Sequence, residues 1–190
     1  EPREMTLPKI VDALITPNVY SRPGKPVRGV LGLVWHWVAN PGTSAQQNRD
    51  YFDRLGRAGG RYAGAHYVIG LDGEILQCIP DSEMAYHCGA DRYKERAVEL
   101  FGPYPNDCTL GIEMCHPDRT GEPTPATLES LVMLSAMLAQ KYNLLPCLHI
   151  LRHYDITGKD CPKYMVENPE AYNDALGAVL VRKNLLRVMG

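Results

Sequence analysis

The run Val30-Leu31-Gly32-Leu33-Val34-Trp35-His36-Trp37-Val38 constrains the fold more than any other stretch of the chain. It is apolar at odd and at even positions. Loop-forming residues bound it, with Arg22-Pro23-Gly24-Lys25-Pro26 before it and Asn40-Pro41-Gly42 after it. Side chains alternate between the two faces of a strand, so a strand that is apolar on both faces belongs in the interior of a sheet. The spacing predicts such a strand over about 29–38. One polar side chain, His36, is trapped inside it.

The rest of the chain supplies cover for that strand. Residues 1–29 read as an extended lead-in. Thr43 or Ser44 caps a helix, with Gln46 and Gln47 placed for a capping box and Tyr51, Phe52 and Leu55 on its apolar face. Residues 65–69 and 74–79 are β-prone and joined through Leu71-Asp72-Gly73, which predicts a hairpin. Residues 84–88 read as a further short strand and 89–107 as a long loop, of a length that is often functional. Residues 108–115 form a strand that carries Glu113. Thr124-Pro125 opens a helix with Leu128, Leu131, Val132, Ser135, Leu138 and Tyr142 at helical spacing. Residues 148–151 form a last strand that delivers His153. Asn168-Pro169 opens the final helix, with Tyr172, Ala175, Leu176, Val179 and Leu180 facing inward. This order predicts an α/β single domain, a central mixed β-sheet flanked by α-helices. It spans 1–190 with a core over roughly 10–180.

Composition narrows the classes of function. The chain has 190 residues, 45% hydrophobic and 22% charged, as expected of one globular domain. Its net charge is −2 and its basic residues are scattered, which gives no basic field for nucleic acid. No apolar run approaches the ~20 residues of a membrane span, so no membrane insertion is expected. Residues 1–5 lack a signal peptide's apolar core. The chain does not open on Met, so that lack does not fix where the protein acts. Six cysteines form no CxxC pair, and a chain of this length needs no disulfide framework. Cys78, Cys88, Cys108, Cys115 and Cys147 read as free, reduced and packed.

Cys161 reads differently. It follows His153 by eight positions, in Arg152-His153-Tyr154-Asp155-Ile156-Thr157-Gly158-Lys159-Asp160-Cys161-Pro162. Imidazole nitrogen and thiolate are ligand types that zinc prefers, and His36 is a candidate third ligand. Three protein ligands leave a fourth position for water. A nearby carboxylate can then move protons, and Glu113 is the carboxylate in an otherwise apolar strand. Lys159 is a candidate partner for an oxyanion. Spacing alone leaves bland alternatives open: a core histidine at His36, a surface histidine at His153, a packed thiol at Cys161 and a paired acid at Glu113.

Several motifs occur together and in order: Tyr20-Ser21-Arg22-Pro23-Gly24, Val34-Trp35-His36-Trp37-Val38-Ala39-Asn40, Ala65-His66-Tyr67-Val68-Ile69, Ala85-Tyr86-His87-Cys88-Gly89, Leu110-Gly111-Ile112-Glu113-Met114, and Arg152-His153-Tyr154-Asp155 through Cys161-Pro162. With them the chain resembles the zinc-dependent N-acetylmuramoyl-L-alanine amidases of phage endolysins and bacterial autolysins, whose fold is shared with peptidoglycan recognition proteins. The resemblance implies that His36, His153 and Cys161 bind one Zn²⁺ per chain, that Glu113 is the general base, and that Lys159 lies near the oxyanion. It implies bacterial peptidoglycan as the partner and the cell wall as the place of action. Some relatives carry Tyr where this chain has Ala65, and many carry Trp where it has Tyr86. His66 is expected to line the groove or orient a ligand, and His87 to hydrogen-bond the muramyl peptide. His116 and His149 read as surface or structural residues. Asp155 reads as a partner of a ligating imidazole or as a loop cap.

Loop 89–107 and the segment after Asn40 are expected to line the groove. Phage enzymes of this kind usually carry a separate wall-binding domain. None is visible after Leu186, so a catalytic portion is expected. Two other readings are carried forward. One is a non-catalytic peptidoglycan-binding module of the same fold, although such relatives typically lack the Cys ligand. The other is a Cys-His peptidase with Cys161 as nucleophile and His153 as base.

Overall fold

In the computed structural model the apolar run becomes strand β2 (Gly32–Trp37). It is paired on one side with β5 (Thr109–Met114) and on the other with β6 (Ile150–Arg152), both parallel. Beyond β5 lie β3 (Tyr67–Ile69), β4 (Ile75–Gln77) and β1 (Ile10–Asp12), giving the order β1-β4-β3-β5-β2-β6. Among the described strands, β3 and β4, the expected hairpin, are the one neighbouring pair that runs antiparallel. The structure describes residues 5–190, so the lead-in read at residues 1–4 lies outside it.

Strand alternation sorts the core into two layers. Leu33 and Trp35 of β2 and Leu110, Ile112 and Met114 of β5 face α3 (Pro125–Lys141) and α7 (Pro169–Met189). In that layer the Trp35 indole Nε1 donates to Ser135 Oγ at 3.0 Å, so the buried ring leaves no donor unpaired. Val34 faces the opposite layer, with α2 (Glu95–Phe101) and α5 (His153–Thr157), while Val68, Leu76 and Ile79 meet α1 (Ala45–Ala58) there. Gly32 is needed for α2 to dock: a Cβ there would lie 2.5 Å from the Phe101 ring.

The helix starts follow the sequence closely. Ser44, not Thr43, is the N-cap of α1, and Gln47, not Gln46, closes the capping box. Thr124 caps α3 with Pro125 in its first turn.

Four expectations need correction. The loop over 89–107 contains α2 and a 3-10 turn at Pro105–Asp107. Residues 84–88 form no strand. Their backbone bonds go to loops instead, with Met84 N–H on the Lys25 carbonyl and the His87 and Cys88 N–H groups on Asn106 Oδ1. The lead-in is not merely extended, because Ile10–Asp12 pairs with β4 at the sheet edge. The strand expected over 148–151 begins at Ile150, after the short helix α4 (Pro146–His149). Two side chains also differ. Cys147 is exposed while the other five thiols are buried, and Leu180 faces solvent rather than the core. A further short helix, α6 (Lys163–Glu167), links the site loop to α7.

Candidate metal centre

Strand register builds the site. His36 of β2 is paired with Glu113 of β5, so the two side chains stand side by side on the same face of the sheet. On the other side of β2, Val34 pairs with Leu151 and Trp35 with Arg152, which puts His153 next in line beside His36. The chain then turns through α5 and its left-handed cap Gly158 and returns Cys161 to the same spot. These are the C-terminal ends of parallel strands, where open α/β sheets place their ligand crevices.

The ligand atoms of His36, His153 and Cys161 lie within 4.8 Å of one another, and all three residues are buried. Cys161 Sγ is 3.6 Å from His36 Nδ1. Zinc–sulfur and zinc–nitrogen bonds of about 2.3 and 2.0 Å subtend about 3.5 Å at a tetrahedral angle. His153 Nδ1 is buried and has no hydrogen-bond partner. A buried imidazole nitrogen without a partner is costly unless something else binds it. The donor set therefore fits a zinc ion.

Burial governs the electrostatics. It lowers His36 well below 6.5, aided by His153, His87 and Lys159. It lowers His153 to about 4, with Lys159 adding to the effect. Both rings are thus neutral, as ligands must be. The Cys161 thiol is raised by burial and then by Glu113. Glu113 is pushed by burial from 4.5 up to about 8, with Lys159 pulling it back. Its Oε2 is buried without a partner.

The four groups floor a cleft of ≈ 780 Å³, into which Lys159 also opens. Tyr62, Tyr86, Tyr104, Arg61 and Asn106 contribute to its walls. Gly89, Tyr104 and Asn106 come from the 89–107 segment, as expected, whereas Arg61 and Tyr62 were not singled out in the sequence.

The remaining histidines each bond within the protein through at least one ring nitrogen, and His116 Nε2 is buried without a partner. His66 is fully buried and does not line the cleft. Its Nδ1 accepts from Gly111 N–H at 3.0 Å and its Nε2 donates to the Glu83 carbonyl at 2.7 Å. That leaves it nothing to offer a substrate. His87 touches the cleft, but both its ring nitrogens face protein groups, one of them His36 Nε2 at 3.0 Å. His116 is structural, stacked on Trp37 at 4.8 Å between ring centroids with its Nδ1 donating to the Asp118 carbonyl. His149 Nδ1 accepts from Leu145 N–H. Asp155 does not reach an imidazole nitrogen; it accepts from Arg152 and closes the first turn of α5.

Known proteins resemble this chain in sequence and in fold. The family description "N-acetylmuramoyl-L-alanine amidase" matches residues 24–164. A probable N-acetylmuramoyl-L-alanine amidase of Bacillus licheniformis is 36% identical over 180 residues, covering 93% of this chain and 49% of its own length. The amidase CwlL of the same organism is 37% identical over 156 residues, covering 81% of this chain and 42% of that protein. The chain thus spans about half the length of the curated relatives it matches. Among solved structures, PlyL superposes with a TM-score of 0.72 at 19% identity, covering 90% of this chain and 96% of that one. The catalytic domain of XlyA superposes with a TM-score of 0.69 at 19% identity, covering 90% and 99%. On the match over residues 24–164, the chain belongs to the N-acetylmuramoyl-L-alanine amidase family.

Proposed function

We propose that the chain is a zinc-dependent peptidoglycan hydrolase that cuts the amide between the lactyl group of N-acetylmuramic acid and L-alanine. The observation that carries this reading is the convergence of His36, His153 and Cys161 beside Glu113 at the floor of one cleft. His36 and His153 would hold one zinc ion through Nδ1, and Cys161 through its thiolate. Zinc bound there supplies a Lewis acid and lowers the pKa of water from ~15.7 toward ~7.

The side chains do the rest. Glu113 takes the proton of the attacking water and delivers it to the leaving amine of L-alanine. A carboxyl pushed up to about 8 is matched to that shuttle near neutral pH. Lys159, exposed at the rim, sets a positive charge toward the oxyanion of the tetrahedral intermediate. Tyr62, Tyr86 and Tyr104 offer ring faces to the glycan and peptide. The partner is bacterial peptidoglycan and the place of action the bacterial wall. No described helix is long and apolar enough to cross a membrane.

Two rival readings fare less well. A Cys-His peptidase needs a lowered thiol pKa, and Cys161 is raised and stands by a carboxyl. A pure binding module has no use for a buried carboxylate oxygen, Glu113 Oε2, without a hydrogen-bond partner beside a three-residue donor set. The test is incubation with purified walls. New N-terminal alanine should appear, stop with a strong chelator and return with Zn²⁺. Intact walls, or cleavage that ignores the chelator, would overturn the assignment.

A further inference from the structure

We propose that His87 is a positioning residue: it fixes the ring of His36 and the tautomer that turns His36 Nδ1 toward the metal. The inference rests on the zinc reading of the site. It follows from counting protons along one buried chain of hydrogen bonds.

The chain starts at the Pro105 carbonyl, which can only accept. Thr109 Oγ1 donates to it at 2.8 Å. With its single proton spent, Oγ1 can only accept from His87 Nε2, at 3.1 Å. The Thr109 carbonyl faces the same nitrogen at 3.3 Å and also only accepts. His87 therefore carries its hydrogen on Nε2. A neutral ring so protonated has a bare Nδ1, and that atom lies 3.0 Å from His36 Nε2. His36 must donate there, which leaves its own Nδ1 bare on the side of Cys161, 3.6 Å away. A ligand histidine presents the right nitrogen when its other nitrogen is held by a fixed partner.

The His87 ring is itself built in. Its residue is 7% exposed. A Cβ at Gly111 would lie 2.5 Å from His87 Cγ, so β5 carries a glycine where the ring rests. Asn106 Oδ1 accepts from the backbone N–H groups of His87 and Cys88 at 3.3 and 3.0 Å, anchoring the loop that bears the ring. The two imidazoles meet edge to face at 86°. Without His87, the Nε2–H of His36 would be a buried donor with no acceptor. The Nδ1–H tautomer, which cannot ligate through Nδ1, would then compete.

The test measures zinc affinity and tautomer, not turnover. Competition with a chromophoric chelator gives the zinc dissociation constant of the wild type, His87→Leu and His87→Asn. Leu keeps the bulk and removes the acceptor. Asn puts an oxygen where Nδ1 stood. His87→Leu should weaken zinc about 10–100-fold, and His87→Asn should recover most of that loss. Equal affinity for wild type and a folded His87→Leu would overturn the proposal, as would failure of Asn to do better than Leu. If His87→Leu does not fold, the wild type alone decides. Long-range ¹H–¹⁵N correlation of its imidazoles should show His36 protonated on Nε2 and His87 on Nε2. Protonation of His36 on Nδ1 would overturn the proposal. A wild type that binds no zinc but shows these tautomers would sink the zinc reading and leave the hydrogen-bond relay standing.

Discussion

Glu113 lies on an apolar strand with Oε2 buried and unpartnered, and burial lifts its carboxyl from 4.5 to about 8. The folded chain therefore holds a proton there that the unfolded chain releases above 4.5. By linkage, the folded state loses stability as pH rises from about 4.5 to about 8, on the order of 5 kcal/mol in all for a rise of that size. Gln has the same shape and cannot ionise. Metal-stripped Glu113→Gln should thus melt higher than metal-stripped wild type. The difference should be small at pH 5 and widen to roughly 10–20 °C by pH 9. His36, His87 and His153, all lowered by burial, oppose folding on the acid side in both proteins and cancel in the comparison. The same variant should retain zinc and lose about 10²–10⁴-fold in wall hydrolysis. Melting curves across pH, with zinc content and turnover beside them, check both halves. A flat difference in melting temperature would mean that Glu113 is already ionised. Glu113 and His36 were legible in the sequence because a lone polar group in an apolar strand is conspicuous. The role of His87 was not, because its partners depend on ring orientation and on a proton held at Thr109.

At the scale of elements, β2 separates two kinds of work. Trp35 points to α3 and α7, and His36 points to the cleft. Ser135→Ala removes the acceptor of the Trp35 indole and strands a buried N–H on the side away from the metal. It should cost about 1–3 kcal/mol of stability and leave zinc affinity unchanged. Denaturant unfolding with chelator competition checks this, and a loss of zinc affinity would show that the two faces are coupled. The elements that the sequence revealed are those with a long periodic or two-sided apolar signal, β2, β5, α1, α3 and α7, together with the β3–β4 hairpin marked by its turn and the strand β6 that delivers His153. Those it hid are short and carry neither a turn signal nor a pattern of their own. Helix α2 has seven residues, of which only Ala97 and Phe101 are buried, and it lies among glycines and prolines that read as loop. Strand β1 has three residues, and its place at the edge is set by β4, not by its own pattern. The 84–88 segment has strand-like residues, but its backbone is claimed by Asn106 and by neighbouring loops.

At the scale of the molecule, the metal centre joins distant parts of the chain: His36 and Cys161 are 125 positions apart. That separation is why spacing alone could not assemble the site, whereas the parallel pairing of β5, β2 and β6 does. It is also why the metal should act as a fold clasp. An unfolded chain has no preformed site, so zinc binding energy becomes folding energy. At free zinc about 1,000-fold above its dissociation constant the gain is about 4 kcal/mol. For a domain of this size that corresponds to roughly 8–16 °C in melting temperature. Stripping the metal with a chelator should therefore lower the melting point by about that much and abolish hydrolysis together, and zinc should restore both. Alkylation sharpens the contrast. Cys161 is 3% exposed while Cys147 is open to solvent. Iodoacetamide should label Cys147 and leave turnover intact, because Cys161 is buried and its thiol is raised above its ordinary pKa, which makes it a poor nucleophile. Inactivation of the loaded protein by alkylation, with indifference to the chelator, would instead make Cys161 a nucleophile and remove zinc from the account.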